Sequence, residues 1–89
     1  MDILFGDVHS LKQKRSIIRP VVAELQRFGV SAAETGDQDL YRRAEVGVAI
    51  ASSTAGHAND VLDRCERAVA AHPEFQILSV RRRIVGADD

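Results

Sequence analysis

From Ala44 to Ala51 the chain alternates strictly. Ala44, Val46, Val48 and Ile50 fall on one side, and Glu45, Gly47, Ala49 and Ala51 on the other. A period of two describes a strand with one buried face. A one-residue slip would turn the whole apolar set to water, so this strand fixes the layer it belongs to. On either side of it in sequence lies a stripe of helical period. Leu11, Ile18, Val21, Val22, Leu25 and Phe28 form the first, and Ala58, Val61, Leu62, Cys65, Ala68 and Val69 the second. Helices with one apolar stripe and a sheet with one apolar face must bury these surfaces against each other.

The remaining elements follow from shorter signals. Ile3–Phe5 reads as a short strand ended by Gly6 and Asp7. Ser10 is placed to cap the first helix, Pro20 is expected to kink or break it, and Gly29 to end it. Val30–Thr35 is a second strand, closed by the turn Gly36-Asp37-Gln38-Asp39. Ser52, Ser53 and Thr54 offer caps for the second helix, and His72-Pro73 stops it. Phe75 to about Arg82 is the last strand. The order β-α-β-β-α-β predicts an α+β, ferredoxin-like two-layer sandwich: a four-stranded antiparallel sheet with two helices on one face. Residues 1–85 form this single domain, and residues 86–89 a frayed tail. Neither an internal repeat nor a low-complexity segment interrupts it.

Composition removes several classes of function. The net charge is −1, which argues against a protein that coats nucleic acid by bulk charge. No apolar run reaches the roughly 18 residues of a membrane span, and the front lacks a basic-then-apolar signal layout. The single cysteine, Cys65, lies on the apolar stripe of the second helix and reads as a small core residue. A reducing, cytoplasmic setting fits.

The segment His9-Ser10-Leu11-Lys12-Gln13-Lys14-Arg15-Ser16 puts three cations at the start of a helix. Positive charge there opposes the helix dipole, at about 0.3–1 kcal/mol per exposed group. The same end binds anions through its unpaired N–H groups. On a helical wheel Lys12, Arg15 and Arg19 share one flank within about 60°. Lys14 lies nearer the core side and is expected to reach around it to water. Ser10, Lys12, Lys14, Arg15 and Arg19 are therefore the candidate anion or nucleic-acid contacts, with Arg42 and Arg43 as helpers. The competing reading is a solvated face paired with Asp7 or Glu24.

Other chemistry is thin. Arg81-Arg82-Arg83 would split between the two faces of a strand. Asp37 and Asp39 could hold a hard cation or act as acid and base, but routine turn roles for Asp explain them better. His9, His57 and His72 show neither zinc-site nor triad spacing. No Gly-rich phosphate loop is present, so no cofactor and no metal is expected. The third strand lacks aromatics, which removes base stacking of the RNA-recognition-motif kind.

The His9–Ser16 segment, Val30-Ser31-Ala32-Ala33-Glu34, and Asp37–Ala44 leading into Val46-Gly47-Val48-Ala49 together resemble the YlxP-like family of small bacterial proteins. The resemblance spans nearly the whole chain and implies a ferredoxin-like fold. Relatives usually carry more residues in the first strand ahead of His9, so either this strand is shortened or the start has been trimmed, and its pairing as a central strand is in question. The family's genes commonly lie among those for translation initiation and ribosome maturation, and it supplies no catalytic residues to carry over. The resulting expectation is a non-enzymatic cytoplasmic binding module, associated with ribosomal RNA or a ribosomal subunit through the basic turn. The alternative is a homodimeric interaction module with no nucleic-acid contact, using the open sheet face lined by Glu45, Gly47, Ala49 and Ala51 or a sheet edge. A small enzyme centred on Asp37 and Asp39 is the least supported reading.

Overall fold

The computed structural model describes residues 1–37 and 39–86. Six elements follow in order: β1 (Asp2–Phe5), α1 (Leu11–Gln26), β2 (Ser31–Gly36), β3 (Arg43–Ala49), α2 (Ala55–Ala70) and β4 (Phe75–Ser79). The strands form one sheet in the order β2-β3-β1-β4, with every neighbouring pair antiparallel. This is the ferredoxin-like sandwich, with short β1 at the centre beside β3.

Local chemistry sets the helix ends. Ser10 Oγ accepts the Gln13 N–H at 3.0 Å, while the Gln13 carboxamide accepts from His9 N–H at 2.9 Å and donates to the Asp7 carbonyl at 3.1 Å. The pair closes the α1 start in the manner of a capping box. Thr54 caps α2 through His57 N–H at 3.2 Å. Gly29, at φ +80°, supplies the left-handed turn after α1. The expected break at Pro20 does not occur: α1 runs through it. Pro20 and Ser16, whose carbonyl loses its partner, are both exposed, so water can take the missing bond.

Both helical stripes and the inward face of the sheet meet in one core. Ile18, Val21 and Leu25 of α1 and Val61, Cys65 and Val69 of α2 close over Ile3, Phe5, Ala44, Val46 and Phe75. Phe5 and Phe75 meet edge to face, 5.6 Å between centroids. His72 stacks on Phe75 and sets Nε2 at 3.1 Å from Glu24, tying the end of α2 to α1. Phe28, expected in the first stripe, lies beyond the end of α1 and is exposed.

The outward face carries Glu45, Gly47 and Ala49, as the alternation predicts. A Cβ at Gly47 would lie 2.7 Å from Thr35 Cγ2, so a larger residue there would force the Thr35 side chain to shift. β4 stops at Ser79 rather than near Arg82. Its neighbour β1 supplies a partner only as far as Asp2, which pairs with Ser79. The predicted tail begins at Gly86, and residues 87–89 lie outside the described residues, as does Gln38 of the predicted turn. Among the described residues no helix is long and apolar enough to cross a membrane.

Cys65 is only 1% exposed, and burial pushes its thiol pKa up. Less thiolate at neutral pH and no access predict that a disulfide reagent labels Cys65 about a hundredfold more slowly than a free thiol, with labelling tracking unfolding. Rapid stoichiometric labelling of the native protein would remove Cys65 from the packed core.

Candidate functional site

The basic turn resolves into two chemically different groups. Lys12, Arg15 and Arg19 are exposed, whereas Lys14 is 1% exposed. Lys14 occupies a stripe position, one turn before Ile18, and its side chain runs inward. Its Nζ donates to the Asp37 carbonyl at 2.7 Å and the Leu40 carbonyl at 2.6 Å, and lies 2.7 Å from Glu34 Oε2. Three acceptors match the three donors of an ammonium group. The expectation that Lys14 reaches water and contacts an anion is thus corrected: its charge is held by Glu34 and by carbonyls of the β2–β3 connection. Two signals for this were present in the sequence. Lys14 stands at helical spacing with Ile18, Val21 and Leu25, and Glu34 shares strand parity with Ala32, on the face turned to the helices.

The exposed cations lie along the free flank of α1. No acidic residue occupies the first turn of this helix. Among the described residues, none of Lys12, Arg15, Arg19 and Arg42 has a carboxylate within ion-pair distance. Arg15 and Arg19 border a shallow groove between α1 and the β2 edge, with Val22 and Glu34 beside them. The Ser10 hydroxyl is engaged as an acceptor by its cap, yet its own O–H stays available as a donor.

Arg42 and Arg43 part company. The Phe5 N–H donates to the Arg42 carbonyl at 2.8 Å, which sets Arg42 beside the end of β1, where the chain turns toward Ser10. Lys14 anchors the preceding loop to α1 at the same end. Arg43 pairs across from Leu4, on the outward face, and its charge helps hold the Asp2 carboxyl low, behind the larger effect of the Ser79 hydroxyl. Arg43 therefore belongs to the open face, not to the α1 flank.

Arg82 sits between Asp63 at 2.7 Å and Glu66 at 3.0 Å on α2, and these carboxylates raise its guanidinium pKa. Arg81 acts on Asp2 by its charge, and because β4 ends at Ser79 the arginine run lies beyond the strand whose alternation was expected to split it. Asp37 contributes backbone rather than carboxylate: it holds φ 58° and its carbonyl accepts from Lys14 and from the Leu40 N–H. Asp tolerates this left-handed conformation better than most residues. Among the described residues no three His, Cys, Asp or Glu side chains converge on a metal-sized site.

Lys14→Met leaves Glu34 facing the helix layer without its cation. We expect a loss of about 3 kcal/mol in denaturant unfolding, because a broken buried pair costs more than a replaced one. Lys14→Met combined with Glu34→Met should recover at least half of that loss. A Lys14→Met variant within about 0.5 kcal/mol of wild type would mean that the pair is not buried in solution.

The family described as protein of unknown function, DUF503, matches residues 1–82. The chain is also similar to the uncharacterized protein YlxP of Bacillus subtilis (strain 168), at 32% identity over 76 residues, covering 84% of this chain and 83% of the relative.

Proposed function

Starting from a chain that belongs to the DUF503 family, we propose that it is a non-enzymatic cytoplasmic binding module that takes phosphate groups of ribosomal RNA on the α1 flank. One observation carries the reading. Lys12, Arg15 and Arg19 stand exposed along one flank of the amino-terminal half of α1, Lys12 in the first turn where positive charge is least favourable, and none of the three has a carboxylate within ion-pair distance among the described residues. Arg42 extends the same end, and Ser10 offers a hydroxyl donor. An RNA backbone supplies a row of anions at a spacing that a helical flank can follow, and A-form or single-stranded RNA is held largely through such contacts. The net charge of −1 keeps this attraction local.

Lys12, Arg15 and Arg19 replaced together by Gln should weaken binding to a ribosomal RNA fragment at low salt. Three lost contacts should flatten the log–log salt dependence by about 2 for single-stranded RNA. The same change should slightly raise the melting temperature, since it removes charge opposed to the dipole. Binding that is absent at low salt, or unaltered by the triple change, sinks the proposal. Lys14 must stay intact in this variant, because its loss would confound binding with unfolding.

The second reading is a homodimer through the open sheet face. It is favoured by a shallow, mostly apolar depression on that face, bordered by Ala33, Gly47 and Ala49. Small residues let a second sheet approach closely. Ala49→Arg should then convert a dimer to monomers in sedimentation. A wild-type monomer at tens of micromolar, where a dimer with micromolar Kd would be well populated, removes this reading.

A further inference from the structure

We propose that the edge strand β2 takes up a further strand from an acidic protein segment, laid antiparallel along Ser31–Gly36 with its carboxylates on Arg15 and Arg19 of α1. β2 lies at the border of the sheet, and among the described residues it pairs with β3 alone. In an antiparallel pair, alternate residues aim both main-chain groups at the neighbour, and the rest aim them away. Ala32 belongs to the second set: its carbonyl accepts from Gln26 Nε2, at the end of α1, at 3.2 Å. An incoming strand offers a main-chain N–H in place of that side-chain amide. Proteins usually protect such an edge with proline, charge or a bulge. Ser31–Gly36 holds no proline, and its register is regular from Ser31 to Glu34. Its one charged residue, Glu34, faces the helix layer, 2.7 Å from Lys14 Nζ.

The groove between this edge and α1 specifies the occupant. It holds about 320 Å³ and is lined on the helix side by Arg15, Ile18, Arg19, Val22, Ala23 and Gln26. A strand added beside β2 sends alternate side chains into this groove. α1 runs antiparallel to β2, since Lys14 near its start reaches Glu34 while Gln26 at its end reaches Ala32. A strand antiparallel to β2 therefore runs with α1 and meets Arg15, Arg19 and then Val22 with Ala23. The two spacings agree. Arg15 and Arg19 stand about 6 Å apart along the helix axis, and side chains on one face of a strand repeat at about 6.6 Å. Among the described residues neither arginine has a carboxylate within ion-pair distance, and the Glu34 carboxylate beside them is taken up by Lys14. Two successive groove-facing carboxylates suit the arginines, each open to bidentate geometry. An apolar side chain at the third groove position covers half-buried Val22. Six residues match the six of β2. A second copy of the chain is a poorer fit, because its β2 brings one carboxylate, Glu34, already held by Lys14. A nucleic-acid strand brings anions but not the main-chain donors and acceptors that continue a sheet.

The test uses the full chain and a fluorescein-labelled peptide with Glu, Glu and Val, in that order, at alternate positions and Thr between them. Anisotropy at low salt should give saturable binding. Two control peptides should each bind at least about tenfold more weakly. One carries Lys for both Glu and removes the charge match. The other is N-methylated at the second Glu and at Val, and removes the amides that face β2 while keeping every side chain. Arg15→Gln with Arg19→Gln should cause a similar loss; both side chains are exposed, so the fold is kept. Arg64→Gln, exposed on α2, should bind as wild type does. Hydrogen exchange on the complex should show new protection within residues 31–36. No saturable binding, equal binding of the N-methylated peptide, or protection confined to other segments overturns the proposal. So does protection of residues 31–36 that grows with protein concentration without peptide, which assigns the edge to a second copy. The measurement contains no RNA. A chain that binds the peptide and not the RNA fragment, or the reverse, therefore separates this inference from the RNA reading, although both use Arg15 and Arg19.

Discussion

The Lys14 ammonium is the interaction on which the helix-sheet arrangement turns. It joins α1 to Glu34 of β2 and to two carbonyls of the β2–β3 connection, all within 2.7 Å. Those carbonyls belong to a turn in which Asp37 holds a left-handed backbone. A buried charge is tolerated only where every donor is met, and here all three are. An apolar residue at position 14 could fill the space but could not fix where the loop lies. The loop in turn delivers the chain to Arg42, whose carbonyl receives the Phe5 N–H at the end of central β1. The ion pair thus sets the position of the loop that accompanies the α1 start.

This changes how the basic segment should be understood. Lys12, Lys14 and Arg15 look equivalent as a run of letters, and they are not. One is internal to the architecture, and the others are left without neutralising partners among the described residues. A cation held by three internal oxygens has little affinity left for an external phosphate, whereas an exposed one keeps its charge to offer, and Lys12, on the first turn of α1, has N–H donors nearby as well. The distinction restricts the proposed RNA contact to a narrower stripe, Lys12, Arg15 and Arg19, with Arg42 at its end.

Central β1 governs the other half of the molecule. It is four residues long between a seven-residue β3 and a β4 that stops where β1 does. A strand can extend only as far as a neighbour accepts its hydrogen bonds, so the limit of β1 is passed to β4 and leaves Val80–Val85 outside the ladder.

By itself the sequence determined the class of fold, because two helical stripes and an alternating strand leave few ways to bury apolar surface. It also determined the helix starts, where Ser10 and Thr54 act through local bonds, and the two faces of β3. Only the tertiary structure decided the fate of Lys14. A lysine on a helical stripe can turn outward or inward, and the outcome depended on Glu34 and two carbonyls twenty or more residues away. The end of β4 was equally non-local, since it coincides with the last pairing to β1, Asp2 opposite Ser79. The continuity of α1 through Pro20 rested on which side of the helix faced water, a question of packing rather than propensity. Arg43 left the candidate site for a similar reason: its register opposite Leu4 fixed its face, and register exists only once strands have paired.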